Sequence, residues 1–140
     1  MDCRKDGCNL FVRLHKGENF YEALGLALEK MEVQTAAVMT GIGMLEACEL
    51  GYFKGVGDYS KELLVGPHEL VSLQGLALRE EKGYNFHFHA ALADGSHKVK
   101  GGHLFSAVVA VTAELVLIKA DAELKRELEP ESGLMGLKLQ

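Results

Sequence analysis

The chain has 140 residues, with 20 acidic against 15 basic side chains and a formal net charge of −5. This length suits one domain with a core of its own, and apolar and charged shares of 48% and 25% exclude a disordered, collagenous or coiled-coil chain. The acidic balance also argues against a general polyanion binder, because nonspecific nucleic-acid affinity comes from Lys and Arg neutralising phosphates.

Residues 1–8 read as a polar leader, and a single domain is expected over 9–140. A short strand covers 9–14. Asn19 followed by Glu22 resembles a capping box, and Phe20, Leu24, Ala27, Leu28 and Met31 recur at helical spacing, so a helix is predicted from there to near Glu32. Strand follows strand after that. Residues 35–40 are β-rich, and Gly41, Ile42 and Gly43 then force a bend or bulge. Residues 48–53 and 59–65 flank Gly55, Val56, Gly57 and Asp58, a hairpin signal. Strands over 69–78 and 84–92 are joined through residues 80–83, and a last long strand covers 107–118. A charged segment, 121–131, leads to a mildly apolar tail at 134–137. Sixteen glycines against two prolines suit the tight turns this requires. The middle of the chain has no room for helical crossovers. The expected class is therefore α+β, a mostly antiparallel sheet with one main helix packed against it.

Cys3, Cys8 and Cys48 are an odd and sparse set, read as thiols in a reducing cytoplasm. No apolar run follows the N-terminal residues as a secretory signal needs. The longest apolar stretch, 104–118, is broken by Ser106, Thr112 and Glu114 and is too short and polar to span a bilayer.

The densest chemical signal is His87, Phe88, His89 followed by Gly101, Gly102, His103. Alternate residues of a strand share a face, so His87 and His89 project together while Phe86 and Phe88 face the other way. A three-residue loop of Asp94, Gly95 and Ser96 sets residue 93 opposite 97 and His87 opposite His103. A one-residue slip would turn His103 to the other face. Three imidazoles on one side of a hairpin suit a divalent metal, zinc first, with a fourth position left for water. The glycines beside His103 allow close backbone approach, or a kink that aims the ring inward. The same pattern also fits imidazoles on a solvated face. His15, His68 and His97 lie beside turns or at a strand start and are weaker candidates. Glu114 interrupts an apolar strand. If buried it needs a partner and could support a histidine; otherwise it faces solvent at a sheet edge.

The strings HFHAALADG and VKGGHLFSA, with GPHELVSLQG and FVRLHKGENFYEAL before them, resemble the PPC (plants and prokaryotes conserved) domain of stand-alone archaeal and bacterial type, over about 11–137. The resemblance implies a compact α+β unit that assembles as a homotrimer. It also implies a metal ion held by the histidines matching His87, His89 and His103. Arg13 matches an arginine common in the family and is a candidate for an anionic ligand near the metal, or else for a surface ion pair. The stretch 66–75 matches a segment that supports partner interaction in plant relatives, with His68 in place of their aromatic. Plant members grip DNA through an Arg-Gly-Arg hook that this chain lacks. Two roles stay open: a DNA-linked regulatory protein, and a zinc-dependent small-molecule enzyme resembling α-acetolactate decarboxylase, whose fold is similar.

Overall fold

The computed structural model describes residues 1–139. Gln140, the end of the expected domain, lies outside the described residues. The elements in chain order are β1 (Asp2–Asp6), β2 (Asn9–His15), α1 (Phe20–Lys30), β3 (Thr35–Gly55), β4 (Asp58–Leu64), β5 (His68–Glu80), β6 (Gly83–Ala93), β7 (Val99–Ala120), β8 (Lys125–Glu129) and β9 (Leu134–Lys138). Seven strands form one sheet in the order β1-β2-β7-β6-β5-β3-β4, and β8 pairs with β9 apart from it. All pairings between strands are antiparallel. A further pairing of β3 with β7 closes β3, β5, β6 and β7 into a ring. One short helix on a mostly antiparallel sheet matches the class expected, although helix is a small share of the chain.

The helix begins where its cap was read. The Asn19 side-chain oxygen accepts from the backbone N–H groups of Tyr21 and Glu22 at 3.1 and 3.2 Å, satisfying two of the donors a first turn leaves open. Phe20, Leu24, Ala27 and Leu28 are fully buried, so the predicted stripe is the face that packs on the sheet. Leu10, Val12 and Leu14 of β2 alternate inward while Phe11 and Arg13 alternate outward. Leu73, Phe88, Leu92, Leu104 and Leu115 complete the core under the helix.

Four segments differ from expectation, the last long strand among them, which starts at Val99 rather than at 107. The stretch taken as a leader forms β1, paired along β2 from Asp2–Arg13 to Asp6–Asn9. Residues 35–53, expected as two strands around a bend, are one strand whose register shifts between Val38 and Thr40, Gly43 and Leu45, and Glu46 and Glu49. These bulges let a long strand bend without losing its neighbours, and the expected irregularity at Gly43 is among them. The charged segment and apolar tail form the β8–β9 hairpin. Its charged residues obscured the strand pattern, since both strands are largely exposed.

Candidate metal centre

His87 and His89 sit on β6 and His103 near the start of β7. His103 pairs with His89 and Val99 with Ala93, so the connecting loop runs over 94–98. The expected register, His87 opposite His103, is therefore off by two residues. A two-residue shift preserves which face each side chain takes. Asp94 explains the longer loop: its carboxylate accepts from the backbone N–H groups of Ser96 and Lys98 at 2.8 and 3.0 Å. These bonds also hold its carboxyl below the usual range.

The three rings converge. Their centroids are 5.3, 5.2 and 5.5 Å apart, and one nitrogen from each lies within 4.8 Å of the others. Tetrahedral zinc with bonds near 2.0–2.1 Å brings its nitrogens to about 3.4 Å, a closure within reach of small ring rotations. Phe88 is fully buried on the opposite face and stacks with Tyr21 of α1, against which Phe86 packs at a tilt. Hydrophobic burial of that face thus aims the two imidazoles outward.

Two glycines make the geometry possible. A Cβ on Gly102 would stand 2.7 Å from the Gly51 carbonyl oxygen, so β7 can lie against β3 beside His103 only with glycine there. Gly75 of β5 has φ +138° and would place a Cβ 1.9 Å from the His87 carbonyl oxygen.

Electrostatics favour neutral rings. Burial first, then the positive charge of Arg126 and the neighbouring His89, lower the His87 pKa. His103 is pushed down to about 4 by burial, then by His87, His89, Arg126 and Lys61. A neutral imidazole keeps the lone pair that a metal needs, so the donor set fits a borderline-soft divalent ion.

Several neighbours escaped the sequence reading. Phe105 packs on His103 at 4.5 Å, and Tyr59 of β4 packs on both, at 6.1 Å from His103 and 5.2 Å from Phe105. Lys61 lies over the Phe105 ring, 4.1 Å from its centroid. Phe105 follows His103 by two residues, so strand alternation alone could have flagged it. Tyr59 and Lys61 come from a separate hairpin, and Arg126 from the C-terminal one.

Arg13 and Glu114 are brought together, though not to the histidines. They are directly opposed on β2 and β7, and Glu114 is exposed. It lies eleven residues along β7 from His103, so it is not a partner of the triad, and Arg13 is not beside the candidate metal position. Arg13 Nε instead donates to Thr112 Oγ1 at 3.4 Å. The two residues line a cleft of about 420 Å³ with Phe11, Ile42 and Val116. His15 lies 3.0 Å from an Asp2 carboxylate oxygen, and the His68 ring contacts the Gly66 carbonyl at 3.0 Å. Neither ring is part of the cluster. Cys3, Cys8 and Cys48 are free thiols, and among the described residues no helix is long and apolar enough to cross a membrane.

Known proteins share this frame. A plant- and prokaryote-conserved protein of Pyrococcus horikoshii superposes with a TM-score of 0.82 at 24% identity, covering 99% of this chain and 95% of that one. A candidate DNA-binding protein of Bacteroides thetaiotaomicron gives 0.88 at 20% identity, covering 98% and 96%. A metal-containing protein of Archaeoglobus fulgidus gives 0.80 at 28% identity, covering 94% and 93%. In sequence, the bifunctional protein GlmU of Synechococcus is 26% identical over 131 residues, and the chain spans only 20% of that protein's length. Residues 1–121 match the Plants and Prokaryotes Conserved (PCC) domain, and the chain belongs to that family.

Proposed function

We propose that the chain binds one divalent ion, zinc, on His87, His89 and His103, leaving a fourth position for water or a small ligand, and that it works as a homotrimer in the cytoplasm. The observation that carries the metal reading is the convergence of three imidazole nitrogens within 4.8 Å on one face. The resemblance to a metal-containing protein supports it. Zinc held by three nitrogens supplies Lewis acidity toward a carbonyl or a bound water. The chain's own part is to keep His87 and His103 neutral and to wall one side of the position with Tyr59 and Phe105.

Small-molecule chemistry is favoured over DNA binding. The net charge is −5, and polyanion affinity needs clustered Lys and Arg. The DNA reading draws its support from the name of a neighbour that shares the fold. The trimer reading comes from the family, and the exposed apolar residues Phe11 and Ile42 beside Arg13 and Glu114 support it. Three free thiols suit the reducing compartment.

Elemental analysis of protein purified without a His-tag tests the metal. About one zinc per chain is expected, lost in the double variant His87→Ala, His89→Ala; a metal-free wild type that stays metal-free in added zinc would refute the site. Light scattering at the column outlet tests the trimer, which a monomer mass would refute.

A further inference from the structure

The pairing of β6 with β7 fixes only two of the three imidazoles against each other. Those strands pair from Ala93–Val99 to His89–His103 and stop there. His87 lies beyond the last pair, on a stretch of β6 whose ladder partner is β5, with Leu76 opposite it. Past His103, β7 keeps β3 as its neighbour, and the register between them shifts at Glu49 and Leu50. The two strands therefore part where the triad needs them held at a set distance. The segment that leads into α1 takes the place β6 has left. Gly17 N–H donates to the Val109 carbonyl oxygen at 2.8 Å, and Val109 N–H donates to the Glu18 carbonyl oxygen at 3.0 Å.

Tyr21, in the first turn of α1, spans the gap. Its backbone is anchored, because its N–H is one of the two donors that Asn19 caps. Its ring stacks on Phe88 at 5.9 Å and packs on Phe86 at 5.2 Å, the two residues that flank His87 in the chain. Its hydroxyl donates to the carbonyl oxygen of Leu104, the residue after His103. One side chain thus grips both strands from the reverse side of the sheet, β6 around His87 and β7 beside His103. Burial raises the pKa of the phenol, and the Cys48 thiol adds to the rise, so the hydroxyl remains a donor. We propose that Tyr21 is a positioning residue of the metal centre: its bond to Leu104 and its seat on Phe86 and Phe88 set the spacing of His87 from His103. The inference rests on the metal reading above and adds the residue that brings the third ligand to the other two. Partners that orient a metal site usually bond to the ligand ring itself; here the hold is on the backbone that carries the rings.

Tyr84 supplies the control for a test on the tag-free full-length chain. Its ring also stacks on Phe86, at 5.9 Å, and its hydroxyl also donates to a backbone carbonyl oxygen, that of Val33, at 2.6 Å. That bond joins β6 to the segment after α1, away from β7. Tyr21→Phe and Tyr84→Phe each remove one phenol–carbonyl bond, so both should lower the urea midpoint of metal-free protein. Only Tyr21→Phe should change the metal. Its zinc affinity, read by chelator competition, is expected to fall about tenfold or more, the range seen on loss of a partner that orients a ligand. Its visible cobalt bands should shift as well, while Tyr84→Phe keeps the wild-type affinity and bands. Phe86→Leu, which leaves the hydroxyl bond in place but loosens the ring's seat, should weaken zinc by a smaller factor. Wild-type zinc affinity and cobalt bands in Tyr21→Phe overturn this inference alone, as does an equal loss in both tyrosine variants, the mark of general destabilisation. Should Tyr21→Phe fail to fold, Phe86→Leu decides, and unchanged zinc affinity in it overturns the inference. A wild type that takes up neither zinc nor cobalt overturns the metal reading and this inference with it.

Discussion

The two halves of β7 carry two polar clusters with different physics. Near its start, His103 meets His87 and His89 where Tyr59 and Phe105 pack against it, and burial with nearby positive charge disfavours protonation of His87 and His103. Further along, Glu114 faces Arg13 across an antiparallel pair, in an open cleft. Water screens the second cluster, so opposite charges gain little from their proximity. Partial burial makes the first one responsive to protons. Polar residues at matching positions are thus a weak sign of chemistry until their desolvation is known.

The largest test of this contrast removes one proposed ligand. His103→Ala should lower zinc affinity by more than about 100-fold, beyond what loss of a supporting partner costs, as read by competition with a chromophoric chelator. The matching change at the other cluster, Glu114→Gln, comes at the far end of the scale. Between them stands the backbone that brings β5 against β6. Gly75→Ala adds a Cβ at a positive φ and against the His87 carbonyl, and should cost on the order of 3 kcal/mol in urea unfolding. A change below about 1 kcal/mol there would mean that β5 can move away from β6 freely.

Acidity sharpens the comparison more gently. The unshifted histidine value is 6.5, and the folded value for His103 is about 4. Above pH 6.5 neither the folded nor the unfolded chain protonates this ring, and stability is full. As pH falls from 6.5 towards 4, the unfolded chain takes the proton first, so metal-free protein loses stability through that window. Below about pH 4 the contribution of His103 levels off, because both states are then protonated. His87 adds loss in the same direction. Thermal melts of metal-free wild type against His103→Gln check this: the variant should show a flatter pH profile. The smallest effect is expected for Glu114→Gln, within about 0.5 kcal/mol of wild type in stability, as for other surface changes, and with unchanged zinc content. Loss of zinc in that variant would erase the distinction between the two clusters.

Much of the triad was legible because strand parity is robust. His87 and His89 share a face whatever the loop, and the register error of two residues left His103 on it. The helix was legible for a similar local reason: Asn19 caps it and a 3.6-residue stripe buries it. Arg126 was not legible. It sits in a charged run, and only the fold brings its charge near enough to act on His87 and His103. Glu114 was open between burial beside a histidine and a place facing solvent, and the structure takes the second: its apolar flanks alternate inward while its own position is exposed.

The sequence by itself determined the antiparallel strand succession, the capped helix and the pairing of imidazoles on one face, since these follow from periods of two and 3.6 residues in the local chain. The tertiary structure decided that β1 joins the sheet, that β3 and β7 run unbroken and close the ring, and which cations surround the histidines. Those outcomes depend on contacts between residues far apart in the chain, where packing and desolvation, rather than local backbone preference, set the energy.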